Sequence, residues 1–322
     1  MMVRPQIERI LCPVDFSEFS APAVRHSVRL ARWFSARVEV LHVVPRSPFG
    51  LAGGGVPEAL ETVRAIRETA ERELAELVEP LLGEGVPIET RLLEGEAWRV
   101  IVDEAESTCP DLLILGTHGR GGFEHLLLGS VTEKVLRRAP CPVLTVGRLV
   151  PVTHTGPLFR RILCAVDLSD ASTRTLENAL ALGRESDAQI TLLHVIASLP
   201  DELEGRRSLA VADVGPLRER LVDEASKQLR AAVPHDTRQF FDVSERVESG
   251  TPWTEILRAA GEMEADLIVM GAHTRGAIGR MLFGSTANQV VRRATCPVLI
   301  VREARKVGPY AANEATGRLT TA

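Results

Sequence analysis

The chain has 322 residues, 45% of them hydrophobic and 25% charged, with a formal net charge of −5. That length fits about two domains, each able to bury its own core. The acidic balance gives no support to a nucleic-acid partner, which would call for a basic stripe. No apolar run approaches the roughly 20 residues of a membrane span.

Residues 1–6 lack the apolar core of a signal peptide, which makes the cytoplasm the expected compartment. Residues 10–14 form a continuous apolar strand, and 19–35 show helical spacing through Val24, Val28, Leu30, Ala31 and Phe34. A second strand at 38–44 leads into a loop from Pro45 to Pro57 rich in glycine and proline. The helix over 58–82 carries Leu60, Val63, Ile66, Ala70, Leu74, Leu77 and Leu81 on one face. A strand at 88–93, a helix at 96–106, an apolar strand at 112–115, a helix at 130–138 and a strand at 143–146 follow. Such short apolar runs suit parallel strands covered on both faces by crossover helices. The order returns at 162–166, 171–185, 189–195, 214–232, 240–247, 252–263, 267–271, 285–293 and 298–301. The expected fold is α/β, two tandem open-sheet domains over residues 1–148 and 158–303, with a flexible tail over 304–322.

The two halves are one sequence written twice. Arg9-Ile10-Leu11-Cys12-Pro13-Val14-Asp15-Phe16-Ser17 returns 152 residues later as Arg161-Ile162-Leu163-Cys164-Ala165-Val166-Asp167-Leu168-Ser169. Leu41-His42-Val43 returns at the same distance as Leu193-His194-Val195. Gly116-Thr117-His118-Gly119-Arg120 with Leu128-Gly129-Ser130 returns 155 residues later as Gly271-Ala272-His273-Thr274-Arg275 with Phe283-Gly284-Ser285. A period of about 150 residues is a whole domain, too long for a solenoid unit. Cys12, Cys164, Cys141 and Cys296 fall in or beside apolar strands and read as small buried hydrophobes. Cys109 has no counterpart, and no Cys-x-x-Cys spacing exists. Arg137-Arg138 and Arg292-Arg293 fall late in predicted helices, where cations complement the dipole.

In a doubly wound sheet, ligands settle outside the carboxyl ends of the strands, where neighbouring crossovers leave on opposite faces. Asp15, Val43 and Gly116 fall at such strand ends, and Ser130 opens the helix that follows. Gly116 permits close backbone approach. Gly119 is expected at positive φ, turning successive amides into an anion nest. Gly129-Ser130-Val131 at a helix N-terminus favours phosphate, with Arg120 adding charge. Ser130-Val131-Thr132-Glu133 also fits a capping box, with Ser130 closing the helix and Glu133 reaching back. Capping by the hydroxyl still leaves other first-turn amides free. His42 and His194 are expected to pack with one satisfied nitrogen, and Trp98 and Trp253 to serve core or interface. His118 and His273 lie in the loop itself, open between packing and ligand contact.

These residues resemble the universal stress protein family in its tandem, ATP-binding form. The likeness rests on Pro13-Val14-Asp15-Phe16-Ser17, Leu41-His42-Val43, and Gly116 to Arg120 through Leu128-Gly129-Ser130-Val131, and both halves carry it. It implies a five-stranded parallel sheet of order 3-2-1-4-5 in each half. It also implies adenine near Asp15 and Val43, ribose near Gly116, and phosphates on Gly119, Gly129, Ser130 and Val131. In the second half the matching positions are Ala165, Val166, Asp167, Val195, Gly271, Gly284, Ser285 and Thr286, with His273 and Arg275 in the loop. The copies are unequal: Thr274 stands for Gly119, Ala165 for Pro13 and Asn288 for Glu133. A β-branched residue at positive φ is costly, so the second site is expected to bind more weakly or differently.

The chain has no Gly-x-x-x-x-Gly-Lys loop, and no Ser-His-Asp or metal-spaced cluster. The first reading is a regulator whose occupancy by ATP, with or without magnesium, biases its conformation or partner choice. A slow ATPase or phosphotransferase and a nucleotide-independent scaffold are the alternatives. The resemblance further implies an intramolecular dimer with the last strands facing each other; pairing of whole chains into a homodimer stays open.

Overall fold

The computed structural model describes residues 7–46, 57–119, 128–147, 159–169, 172–184, 186–197, 214–272 and 283–302. The first half runs β1 (Arg9–Val14), α1 (Ser20–Phe34), β2 (Arg37–Val44), α2 (Pro57–Val78), β3 (Ile88–Glu94), α3 (Ala97–Thr108), β4 (Leu112–Gly116), α4 (Ser130–Leu136) and β5 (Val143–Val146). The second runs β6 (Arg161–Ala165), α5 (Ser172–Arg184), β7 (Gln189–Ala197), α6 (Val214–Ala232), α7 (His235–Arg238), β8 (Asp242–Gly250), α8 (Pro252–Glu262), β9 (Leu267–Gly271), α9 (Ser285–Arg293) and β10 (Val298–Val301).

Boundaries shift where local chemistry intervenes. The helix read over 58–82 stops at Val78 and tightens into a 3-10 turn over Glu79–Leu81. Pro80 is the cause, because it supplies no N–H and its ring crowds the preceding turn. The short α7 precedes β8, which therefore starts at Asp242 rather than 240 and runs on to Gly250. Helix α1 ends at Ser35, whose left-handed φ of 54° lets the following Ala36 N–H turn back to the Ala31 carbonyl at 2.9 Å.

All ten strands join one sheet of order β3-β2-β1-β4-β5-β10-β9-β6-β7-β8. Each half keeps the order 3-2-1-4-5 with parallel neighbours. The halves meet where β5 and β10 run antiparallel, pairing Thr145 with Val298, Leu144 with Leu299 and Val143 with Ile300. Side chains alternate across the sheet. One face gathers Ile10, Cys12, Ile114, Leu144, Ile162, Cys164 and Leu299 into a single apolar layer. The other gathers Leu11, Leu113, Val143, Leu163, Ile268 and Ile300. Both layers run unbroken through the two halves. Cys12, Cys141, Cys164 and Cys296 are buried free thiols, and burial pushes each up to about 12, so they are inert packing groups. Among the described residues no helix is long and apolar enough to cross a membrane.

Candidate functional site

The chain order reverses direction beside β1, the inner strand between β2 and β4. Strand β1 pairs with β2 along its whole length, from Arg9 to Val14. With β4 it pairs only through Ile10 and Leu11. Pro13 has no N–H to extend that ladder, so the strands part early and a crevice opens between their carboxyl ends. In the second half Ala165 keeps its N–H, and β6 stays paired with β9 as far as Ala165 and Met270. The crevices differ in size in the same sense. The first crevice holds a cavity of about 500 Å³ and the second one of about 150 Å³.

The first cavity is lined by ten residues singled out from the sequence: Pro13, Val14, Asp15, Val43, Gly116, His118, Gly119, Gly129, Ser130 and Val131. Ala165, Val166, Asp167, Val195, Gly271, Gly284 and Thr286 line the second. Ser285 opens α9 but is absent from that lining. Arg120, His273, Thr274 and Arg275 lie outside the described residues.

Asp15 is held from two sides. Its Oδ1 accepts the Ser17 N–H at 3.0 Å and the Ser20 hydroxyl at 3.0 Å. Between them Phe16 sits at a φ of 61°, a strained setting for a bulky residue. Its ring packs on His42 at 4.2 Å between centroids. The His42 Nδ1–H donates to the Val14 carbonyl at 2.8 Å, tying β2 to the end of β1. The second half repeats this with Asp167, Ser169 and Ser172, with Leu168 at a φ of 60°, and with His194 bonded to Val166 at 2.9 Å. One detail differs. The Ser169 hydroxyl donates to Asp167, whereas the buried Ser17 hydroxyl has no partner among the described residues and lines the cavity.

Two expectations are corrected. Gly119 is not among the positive-φ glycines of the described residues, which are Gly83, Gly85, Gly95 and Gly250. Close approach is the reason to find glycine there: a Cβ on Gly119 would meet Asp15 Oδ2, and the Asp15 carboxylate would have to shift to admit it. Gly116 is similar, since its Cβ would lie 2.7 Å from that of Phe19. The capping box also does not form. Gly129 is the N-cap residue of α4 and no side chain caps the helix, because Ser130 is already its first helical residue. The Glu133 carboxylate turns instead to Arg137 at 2.6 Å. The start of α4 thus borders the cavity with Gly129, Ser130 and Val131, and carries no side-chain oxygen on its first-turn amides.

Other contributors carried no single-residue signal. Thr132 Oγ1 donates to the Gly116 carbonyl at 2.9 Å and locks α4 onto β4. Phe19 packs on the His118 ring at 5.0 Å, and the His118 Nδ1 lies 2.9 Å from Thr117 Oγ1. Ala97, Ile101, Leu41, Leu115 and Leu128 complete an apolar wall. Ser20 could have been found, because the spacing Asp15, Ser17, Ser20 returns unchanged as Asp167, Ser169, Ser172. Among the described residues no group of three His, Cys, Asp or Glu is placed to hold a metal. The arrangement combines an apolar slot, an anchored carboxylate and a helix start suited to an anion.

A family model described as the universal stress protein family matches residues 6–147 and again 158–302. Universal stress protein MJ0531 of Methanocaldococcus jannaschii is 38% identical over 142 residues, 44% of this chain and 82% of that protein. A universal stress protein of Mycolicibacterium smegmatis is 28% identical over 298 residues, 91% of this chain and 96% of its own length. In fold, the crystal structure of a universal stress protein from Archaeoglobus fulgidus matches with a TM-score of 0.65 and 24% identity. That match covers 92% of this chain and 99% of the other. With the family's domain matched in both halves, over the strands and loops that build each crevice, the chain belongs to the universal stress protein family.

Proposed function

We propose that this protein is an ATP-binding regulator of a stress response, with its working nucleotide site in the first half. The observation that carries the reading is the crevice of about 500 Å³ opened at Pro13 and closed off by Asp15, Gly119 and the start of α4. Two features fit a nucleotide. The buried Ser17 hydroxyl that lines the crevice has no partner among the described residues, and a polar ligand would supply one. Gly119 lines the crevice with no side chain of its own, leaving its backbone open to a ligand. Adenine would lie near Asp15 and Val43 in the apolar slot, ribose near Gly116, and phosphates toward Gly119, Gly129, Ser130 and Val131. Magnesium would arrive with the triphosphate, on its oxygens.

Phosphoryl transfer needs a positioned nucleophile and charge clamps. The crevice offers a carboxylate tied down by two donors and backbone amides, a set suited to holding and not to turnover. Occupancy then acts by favouring one conformation or partner over another. The second site is smaller, and Thr274 stands where the first half has Gly119, the glycine beside Asp15, so we assign it weaker or different binding. The domains over 1–148 and 158–303 act as an internal pair through β5 and β10. Five free thiols suit the reducing cytoplasm.

The test uses the full chain. Denaturing the purified protein should release ATP, and nucleotide-free protein should titrate with one tight equivalent. Gly119→Thr, which copies the second half, and Asp15→Ala should each weaken that binding at least tenfold with unchanged circular dichroism. Binding that ignores both variants would overturn the site, and steady ADP release with magnesium would favour the ATPase reading.

A further inference from the structure

A third cavity, of about 220 Å³, lies over the seam between the halves, at the end of the strands opposite the two crevices. Its floor is Leu144 of β5 and Leu299 of β10. Its walls include Leu30 and Phe34 of α1, Phe159, and Asn178 and Ala181 of α5, with Asp111 at one side. Most of this lining is apolar, and Asp111 is its one charged group.

The internal repeat explains why the cavity exists. Asp111 and Asp266 are equivalent, 155 residues apart, and do the same work. Asp111 Oδ2 accepts the N–H groups of Glu8 and Arg9 at 2.8 and 3.0 Å. Asp266 accepts those of Arg160 and Arg161 at 2.7 and 3.1 Å, using both oxygens. Each carboxylate therefore staples the start of its own first strand. The helices facing them differ. Arg29 of α1 is half-buried and feels the charge of Asp266 in the other half, which supports its protonated form against burial. The position equivalent to Arg29, 152 residues on, is Ala181. Where the first copy has an arginine close enough to feel the carboxylate of Asp266, the second has the methyl group of Ala181, which lines the cavity together with Asp111.

We propose that the seam cavity binds a small alkylguanidinium cation, its head on Asp111 and its aliphatic body among Leu30, Phe34 and Phe159. A ligand of this class replaces the side chain that Ala181 lacks. Its apolar part covers the wall, and its planar head matches a carboxylate through paired N–H donors. Bridging α1 and α5, it would fasten the two halves together across β5 and β10.

The probe is n-butylguanidinium chloride at low millimolar concentration, titrated into the full chain by calorimetry, with n-butanol as the neutral control. One saturable equivalent is expected, at least tenfold tighter than n-butanol. Asp111→Asn should weaken it at least tenfold while keeping an oxygen for the Glu8 and Arg9 N–H groups. Ala181→Arg should abolish it, since the new side chain supplies the bulk and the guanidinium that the ligand would bring. Arg29→Ala should raise the stoichiometry to two by opening the equivalent space at Asp266. No saturable binding to the wild type, or unchanged affinity in Ala181→Arg, would overturn the proposal, and n-butanol binding equally well would overturn the cation. The cavity is separate from the nucleotide crevice, so ATP affinity should stay the same in all three variants.

Discussion

His26 shows how one buried side chain sets a pH limit on this fold. It lies on the inner face of α1, is 3% exposed, and its Nε2 has no partner among the described residues. Burial, and then the nearby charge of Arg29, push its pKa from 6.5 down to about 4. The folded chain therefore holds His26 neutral, while the unfolded chain protonates it near its ordinary value. Below that value the unfolded state binds more protons, so stability drops as pH falls from about 6.5 and goes on dropping until the folded pKa is passed. A shift of this size corresponds to roughly 3 kcal/mol. His26→Asn copies Asn178 of the second half and removes the titration. Urea denaturation at pH 7 and pH 4 should show the wild type losing roughly 3 kcal/mol more than the variant. Equal losses would mean that His26 is protonated in the folded protein.

Between elements, the pairing of β1 with β4 is shorter where the crevice is wider. Much of this was open to view in the sequence. Asp15, Val43, Gly116 and Ser130 fell at strand and helix ends, and strand–helix alternation sufficed to bring them to one place. What stayed hidden depended on neighbours remote in the chain. The close approach behind Gly119 involves Asp15, some hundred residues earlier, and local reasoning put the requirement in its own φ. The capping box fitted the letters around Ser130, yet the hydrogen bond from the Gly129 N–H to the Thr117 carbonyl at 3.0 Å starts α4 one residue early for it. Pro13 and Ala165 looked like a minor difference until the β1–β4 and β6–β9 pairings could be compared. That comparison is testable. Pro13→Ala restores an N–H, so β1 should zip to β4 beyond Leu11 and narrow the crevice toward the second one. ATP affinity should fall about tenfold, or 1.4 kcal/mol, while thermal stability holds or rises. Unchanged affinity would show that the width of the crevice is set elsewhere.

At the scale of the whole chain, the seam joins the strands of both halves in one sheet. The backbone ladder between β5 and β10 is continuous with both halves of the sheet, and Thr145 Oγ1 adds a bond to the Val298 carbonyl at 3.2 Å. Arg302, 8% exposed at the end of β10, donates from Nη1 to the Leu136 carbonyl at 2.9 Å, capping the last turn of α4 from the other half. It also lines the second crevice, so the far end of the helix that opens on the first site is held by a wall of the second. With both apolar layers shared, neither half can unfold without exposing the inner edge of its partner. Unfolding should therefore be one transition. Trp98 and Trp253 report on the two halves, each packed under an arginine, Arg138 at 4.6 Å and Arg293 at 4.9 Å. In a Trp33→Phe background, with one of the two remaining tryptophans also replaced by phenylalanine, urea curves from either reporter should share a midpoint. ATP at a hundred times its dissociation constant adds about 2.7 kcal/mol to whatever unfolds with the site. Both midpoints should then rise together, although the proposed tight site lies in the first half. If only the Trp98 curve moves, the halves unfold independently, and the seam joins two separate domains without coupling them.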